Sequence, residues 1–240
     1  MTAHKVILYD DNCPLCCWYT GAFVKTGLLP QNGRQAFTEL DPNKLNCKLD
    51  IERSKDKIPL LDTQGGPTLY GIDSLLYILG ERWPWMERVA RWSPINGFLH
   101  RLYKFISYNR RVIVASETPA GGFDCSPQFN VGYRLLYLAF AGLLGLTTIT
   151  YSLQAGGLTN RAWMISLGLL LIVAGPALSL KNYRTRLNYL GIMLTPFLVL
   201  GLLFIASVAA ALPLWLGGGV AMLIAGRMWS RRWGVARRVL

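Results

Sequence analysis

The C-terminal half of this sequence lacks acidic residues altogether. All 13 Asp and Glu residues lie before Tyr133, whereas ten of the 25 Lys and Arg residues follow it. The N-terminal part is therefore close to neutral, and most of the net charge of +12 belongs to the C-terminal part. A basic balance can indicate nucleic-acid binding. Here the basic residues lie between long apolar runs, so we expect contact with membrane lipid and no nucleic acid.

The first residues lack the pattern of a secretory leader, which has a basic start and a longer apolar core. The apolar run over residues 6–9 is short and is followed by Asp10. We therefore expect the N-terminal part to stay in the cytoplasm. Its five cysteines are then thiols, transient disulfides or metal ligands rather than structural bridges.

Four apolar segments follow in the C-terminal part, over residues 133–153, 162–180, 188–208 and 211–226. A helix needs roughly 20 residues to cross a hydrocarbon core, and only a helix satisfies its own backbone hydrogen bonds in lipid. The sequence thus predicts an all-α bundle of four transmembrane helices within residues 131–240. The basic clusters then face one side, which the positive-inside rule makes cytoplasmic. We expect both termini on that side of a bacterial inner membrane.

A strand followed by a Cys-Pro-Leu-Cys sequence opens the N-terminal part. Residues 5–9 predict a buried strand, and a helix is expected over residues 14–26 because Pro14 suits the first helical position. The start of a helix stabilises a thiolate, which is the species that attacks a disulfide. We therefore predict that Cys13 is the more exposed nucleophile. Cys16 is then the more buried thiol that resolves the mixed disulfide.

The cysteine pair has two other interpretations. It is half of a zinc site, completed for example by Cys47 and Cys125, or it is purely structural. The sequence contains no second CxxC, no CxxH and no CxxCH for haem attachment. We favour a redox-active disulfide of Cys13 and Cys16 with no metal and no further cofactor. Its partners are a protein or small-molecule disulfide and a thiol electron donor.

The remaining pattern predicts the order β-α-β-α-β-β-α, a thioredoxin-like core within residues 1–82. The later elements are strands over residues 35–40, 58–62 and 67–70, a helix over 43–53, and a helix from Asp73 or Ser74 to about residue 80. Pro59 follows Ile58 where thioredoxin-like folds place a cis-proline beside the CxxC. We therefore expect a cis peptide bond before Pro59.

The segment from Tyr9 to Cys16 resembles the signature of the DCC family of predicted thiol-disulfide oxidoreductases. That family is named for the pattern D-x-x-C-x-x-C, which Asp10, Cys13 and Cys16 fill. Residues 58–79 and the stretch through Asn109 and Arg110 are also similar to it, so the resemblance covers roughly residues 4 to 125. The resemblance implies a thioredoxin-like fold and disulfide exchange. The sequence departs from it at Asp11, where members commonly carry glycine.

Three further side chains have alternative roles. Asp10 either tunes or relays protons for the cysteine pair, or it binds loop N–H groups ahead of the helix. Cys17 either packs as a small apolar residue or acts as an accessory thiol. Cys125 lies in a loop just before the first apolar segment and is a second candidate accessory thiol.

Residues 83–130 predict a helical extension and a juxtamembrane linker. The first part of this stretch is rich in aromatic and basic residues, and Pro94 is expected to divide it into two helices. Such a mixture either lies among lipid headgroups or packs on the redox domain with solvated basic faces. We expect a combination of both.

Overall fold

The computed structural model describes residues 4–39, 49–116, 127–211 and 214–239. The chain divides into two compact units, Met1–Phe129 and Asn130–Leu240. Cys47, Cys125 and most of the helix expected over residues 43–53 lie outside the described residues, so the interpretations that concern them stay predictions.

A mixed sheet of four strands forms the centre of the N-terminal unit. In the order β2-β1-β3-β4, strand β2 is parallel to β1, whereas β3 is antiparallel to both β1 and β4. Ile7 and Leu8 are adjacent on β1, so their side chains point to opposite faces, and both are fully buried. The sheet is therefore covered on both faces. The strands are β1 (Lys5–Tyr9), β2 (Arg34–Ala36), β3 (Pro59–Asp62) and β4 (Leu69–Tyr70).

Three helices alternate with these strands. Helices α1 (Pro14–Lys25), α2 (Ile51–Asp56) and α3 (Ile72–Arg82) follow β1, β2 and β4, which gives the expected order β-α-β-α-β-β-α. Strand β2 is shorter than expected, because the chain turns into a 3-10 helix at Phe37–Glu39.

The start of α3 differs from the expected cap at Asp73 or Ser74. The helix is capped by Gly71, whose φ of 70° is a conformation that glycine adopts without steric cost. The Gly71 N–H donates to the carbonyl of Ile58 at 2.8 Å. The Ser74 hydroxyl is buried and donates to the same carbonyl at 3.1 Å. Ser74 therefore ties α3 to the start of β3 instead of capping its own helix.

Two more helices, α4 (Pro84–Ala90) and α5 (Ser93–Val114), complete the N-terminal unit. Pro94 lies in the first turn of α5, so the expected division there is confirmed. Helix α5 is bound to the segment between α2 and β3, since the Ile58 N–H donates to the Tyr103 hydroxyl at 3.0 Å and the Ser107 hydroxyl donates to the Asp56 carbonyl at 3.0 Å.

The C-terminal unit consists of four long helical segments. Three of these segments are long and apolar enough to cross a membrane, namely α6, α8 and α7 with its extension. The fourth, α9, does not meet this measure over its described residues, because its apolar part ends at Arg227. The count of four spans is therefore not supported by length and composition. The segments are α6 (Val131–Ala155), α7 (Ala162–Ala174) with a 3-10 extension (Gly175–Ser179), α8 (Tyr183–Ala209) and α9 (Leu214–Val239).

Candidate redox site

The cysteine pair lies where β1 ends and α1 begins. A tight turn joins the two elements, in which the N–H groups of Asn12 and Cys13 donate to the side chain and the carbonyl of Asp10, each at 3.1 Å. Cys13 is the N-cap residue of α1, and Pro14 stands in the first turn, where a missing N–H leaves no helical bond unmade. Cys16 lies on the first turn of the same helix. Both thiols thus lie at the electropositive end of α1.

Both thiols are nearly inaccessible, which differs from the expectation that Cys13 is the more exposed of the two. The exposed fraction is 2% for Cys13 and 4% for Cys16. Beside Cys16, α5 covers the start of α1. Its Arg110 Nη2 donates to Asp10 Oδ2 at 3.1 Å, and its Nη1 donates to Cys16 Sγ at 3.8 Å.

Contact between the two thiols shifts their pKa values in opposite directions. A hydrogen bond from the Cys16 thiol, helped by the Cys16 N–H and the positive charge of Arg110, outweighs burial and lowers the pKa of Cys13 to about 6. Its hydrogen bond to Cys13, together with burial, raises the pKa of Cys16. A pKa near 6 means that about nine-tenths of Cys13 is thiolate at pH 7. The arrangement therefore provides a thiolate at Cys13 and a proton donor at Cys16.

Asp10 binds a loop N–H group, as one of its two interpretations expects, whereas its role in tuning or relaying protons for the cysteine pair stays a prediction. One carboxylate oxygen accepts from the Asn12 N–H in the turn, and the other accepts from Arg110. Burial raises the pKa of Asp10, and the charge of Arg110 counteracts that rise. Asp10 therefore both shapes the turn and balances the cation beside the thiols.

Arg110 is the site residue that sequence reasoning did not single out. Its only indication in the sequence is that the stretch through Asn109 and Arg110 resembles the DCC family. Cys16 and Asp10 are 94 and 100 residues away from it along the chain. Burial lowers the pKa of Arg110, but its interactions with Cys16, Cys13 and Asp10 outweigh burial and raise the pKa, so the guanidinium stays charged.

The peptide bond between Ile58 and Pro59 is trans, so the expected cis bond is wrong. Pro59 is the first residue of β3, a position at which the missing N–H of proline does not interrupt the strand. The Ile58 N–H and C=O groups bind Tyr103 of α5 and Ser74 of α3. These bonds fix Ile58 to the two helices while the bond before Pro59 is trans.

Cys17 lies next to the pair but has a different environment. It is half-buried, and its thiol donates to the carbonyl oxygen of Asp11 at 3.4 Å. Burial and the negative charge of Cys13 raise the pKa of Cys17. This thiol is therefore protonated at neutral pH and ties the first turn of α1 to the preceding loop.

An apolar cavity of about 280 Å³ lies beside Cys16, between α1, α3 and α5. Its wall includes the Cys16 thiol and Arg110, and the side chains of Trp18, Leu102 and Ile106 stand at its exposed rim. The cavity is thus suited to an apolar group next to the thiol pair.

The zinc interpretation has no support from the described part of the chain. Over residues 4–39, 49–116, 127–211 and 214–239, no three His, Cys, Asp or Glu side chains are grouped as metal ligands would be. Cys47 and Cys125, the proposed additional ligands, lie outside these ranges.

Comparison with known proteins agrees with this geometry. The family model of the DCC1-like thiol-disulfide oxidoreductases matches residues 7–115, which extend from β1 to the end of α5. No curated protein and no solved structure matches the chain significantly. The matched part contains Asp10, both cysteines of the pair and Arg110. The N-terminal unit is therefore similar to the DCC1-like thiol-disulfide oxidoreductase family over residues 7–115.

Proposed function

We propose that this protein is a membrane-anchored thiol-disulfide oxidoreductase whose redox pair is Cys13 and Cys16. The observation that carries the proposal is the placement of two contacting thiols at the start of α1, with the Arg110 guanidinium against Cys16 Sγ. The strand order β2-β1-β3-β4, with only β3 antiparallel, is the order of a thioredoxin-like core and supports that fold for this unit.

The proposed reaction reduces a disulfide, RSSR′. The Cys13 thiolate attacks one sulfur, so that a Cys13–SR bond forms, the substrate S–S bond breaks and R′S⁻ leaves. Cys16 then attacks the Cys13 sulfur, which closes the Cys13–Cys16 disulfide and releases RS⁻. The Cys16 proton ends on R′S⁻. Two electrons thus pass from the cysteine pair to the substrate, and a thiol donor restores the pair.

Arg110 and Asp10 assist this reaction without reacting themselves. As Cys16 loses its proton, negative charge develops on a sulfur that is already 3.8 Å from Arg110 Nη1. A preplaced guanidinium stabilises that charge in a site with little water. The bond from Arg110 to Asp10 keeps the guanidinium oriented toward the thiols when the substrate is absent.

We further propose four membrane spans, with the redox unit on the cytoplasmic side. Support comes from the antiparallel packing of α9 along α8. Near one end of the pair, Trp229 Nε1 donates to the Met193 carbonyl at 3.1 Å. Near the other end, a Cβ at Gly217 would meet Ser207. Helix α9 therefore runs beside α8 along most of its length and would cross the same thickness of membrane. The basic residues that flank both helices then lie on one side of the membrane, which is cytoplasmic by the positive-inside rule.

The deciding experiment measures the reduction potential and the metal content of the purified full chain. We expect a reversible, metal-free disulfide between Cys13 and Cys16 that is lost in Cys13→Ser and kept in Cys17→Ser. Cys16→Ser should accumulate the mixed disulfide between Cys13 and the substrate, because the resolving thiol is missing. A stoichiometric metal ion together with no reversible disulfide would refute the redox proposal and favour a soft-metal-binding protein.

A further inference from the structure

We propose that α5 docks the N-terminal unit on an anionic lipid surface, so that the cavity beside Cys16 opens at that surface. The docking follows from the surface of α5 itself. The consequence for substrates rests on the proposed redox function, because it concerns what reaches Cys13 and Cys16.

Helix α5 presents an exposed apolar stripe, defined by Phe98, Leu102 and Ile106. These residues are spaced by four, so they lie on one face of the helix. Their exposed fractions are 61%, 38% and 39%. Trp18 of α1 is 72% exposed and lines the same cavity as Leu102 and Ile106, so it adjoins the stripe. An apolar surface that continues across two helices indicates contact with another apolar phase.

The charge of α5 specifies the kind of surface. The helix contains no Asp or Glu, and it carries Arg101, Lys104, Arg110 and Arg111. Arg101 and Lys104 are both exposed. By helical spacing Arg101 lies beside Phe98 at one edge of the apolar stripe, whereas Lys104 lies on the opposite side of the helix from Leu102 and Ile106. Basic side chains beside an apolar stripe suit a helix that lies in the headgroup region of anionic lipid. Each basic residue near such a surface strengthens docking about fivefold.

The position of α5 in the chain favours lipid over a soluble partner. Helix α5 ends at Val114 and α6, a candidate membrane span, begins at Val131. Sixteen residues separate the two helices, so the connection spans at most about 55 Å. The stripe is therefore tethered close to a bilayer and meets it at a high effective concentration. A soluble peptide or a second copy of the chain has no such advantage.

Docking on lipid would determine how a substrate reaches the redox pair. Leu102 and Ile106 belong both to the stripe and to the wall of the cavity that reaches Cys16. With the stripe on lipid, the mouth of the cavity lies at the headgroup level. The cavity then holds an apolar group of the substrate beside Cys16, while the substrate disulfide lies next to the cysteine pair. The favoured substrate class is thus a disulfide held at the lipid surface.

Docking is tested by photo-crosslinking in the full chain, reconstituted in phosphatidylglycerol vesicles. A photoreactive amino acid is placed at position 98, and, as a matched control, at position 64 in the exposed turn between β3 and β4. We expect lipid adducts at position 98 at least fivefold above those at position 64. Arg101→Gln should lower the yield by up to about fivefold, whereas Lys25→Gln at the end of α1 should not. Equal yields at the two positions, or crosslinks to a second copy of the chain instead of lipid, would overturn the docking.

Substrate delivery is tested with a pyridyl disulfide in two forms, one attached to a lipid headgroup and one dissolved in water. We expect Phe98→Ser to slow reduction of the lipid-attached form at least fivefold and to leave the rate for the soluble form unchanged. Equal slowing of both forms would refute delivery from the surface. If the wild-type chain reduces neither form, the proposed redox function fails, while the crosslinking yields still decide the docking.

Discussion

Replacement of Arg110 by glutamine tests the electrostatic account of the thiol pair. Arg110 contacts Cys16 Sγ at 3.8 Å and Asp10 Oδ2 at 3.1 Å, and only 13% of its side chain is exposed. A close opposite charge typically changes a pKa by about 1 to 3. For Cys13 the hydrogen bond from Cys16 is the larger cause, so we take the lower end of that range. We expect the pKa of Cys13 to rise from about 6 to about 7 in Arg110→Gln.

This change has a calculable effect on the redox balance. At pH 7 the thiolate fraction of Cys13 would fall from about nine-tenths to about one half. The lost stabilisation of the reduced form is about 1 kcal/mol. Because the thiolate exists only in the reduced protein, its loss favours the disulfide. The reduction potential should therefore become more negative by about 20 mV for a two-electron couple.

The assay follows thiolate absorbance in the ultraviolet as a function of pH, together with equilibration against a glutathione redox buffer. Serine replaces Cys17, Cys47 and Cys125 in all variants, so that only the redox pair titrates. Arg88→Gln, an exposed position on α4, is the matched control, and Arg110→Lys should restore most of the effect because it keeps a positive charge. A folded Arg110→Gln protein with an unchanged Cys13 titration would refute the reasoning.

Two further predictions concern packing in each unit. Tyr103→Phe removes the acceptor of the buried Ile58 N–H and should lower the free energy of unfolding of the N-terminal unit by about 1–3 kcal/mol, measured by chemical denaturation; an unchanged value would contradict that role. In the C-terminal unit, Arg232→Met should be destabilising by a similar amount, because Arg232 Nη1 donates at 3.1 Å to the carbonyl of Ile192. The cost should shrink in a Pro196→Ala background, where the new N–H takes that carbonyl; equal costs in both backgrounds would refute this explanation.

Much of the fold follows from patterns confined to single segments. Strand β1 was expected and observed over residues 5–9, and α1 ends within one residue of its expected limit. The predicted ends of helices and strands are wrong where a contact with a residue distant in sequence determines them. Gly71 rather than Ser74 caps α3, because the Ser74 hydroxyl binds the carbonyl of Ile58, 16 residues earlier in the chain. Propensity and periodicity contain no information about such contacts.

The candidate site likewise has a part that follows from neighbouring residues and a part that depends on distant contacts. The CxxC, the proline at the start of α1 and the preceding Asp10 are neighbours in sequence, so their association could be predicted. Arg110 reaches the pair from a helix that begins about 80 residues later, and no local pattern indicates this contact. The contact that Cys16 makes with Arg110 depends on the same helix. The chemistry of the site was therefore predictable, but its accessibility and its counter-charge were not.

One basic residue of the C-terminal unit has a structural role besides its effect on membrane orientation. Pro196 lies inside α8 and has no N–H to donate to the carbonyl of Ile192, four residues earlier. A carbonyl left without a donor is costly in an apolar segment that can cross a membrane. Arg232 supplies the donor from α9, and its side chain is only 8% exposed. Because this pairing requires the arginine-rich end of α9 to lie against α8, Arg232, one of the arginines that lower the hydropathy of α9, also holds α9 beside α8.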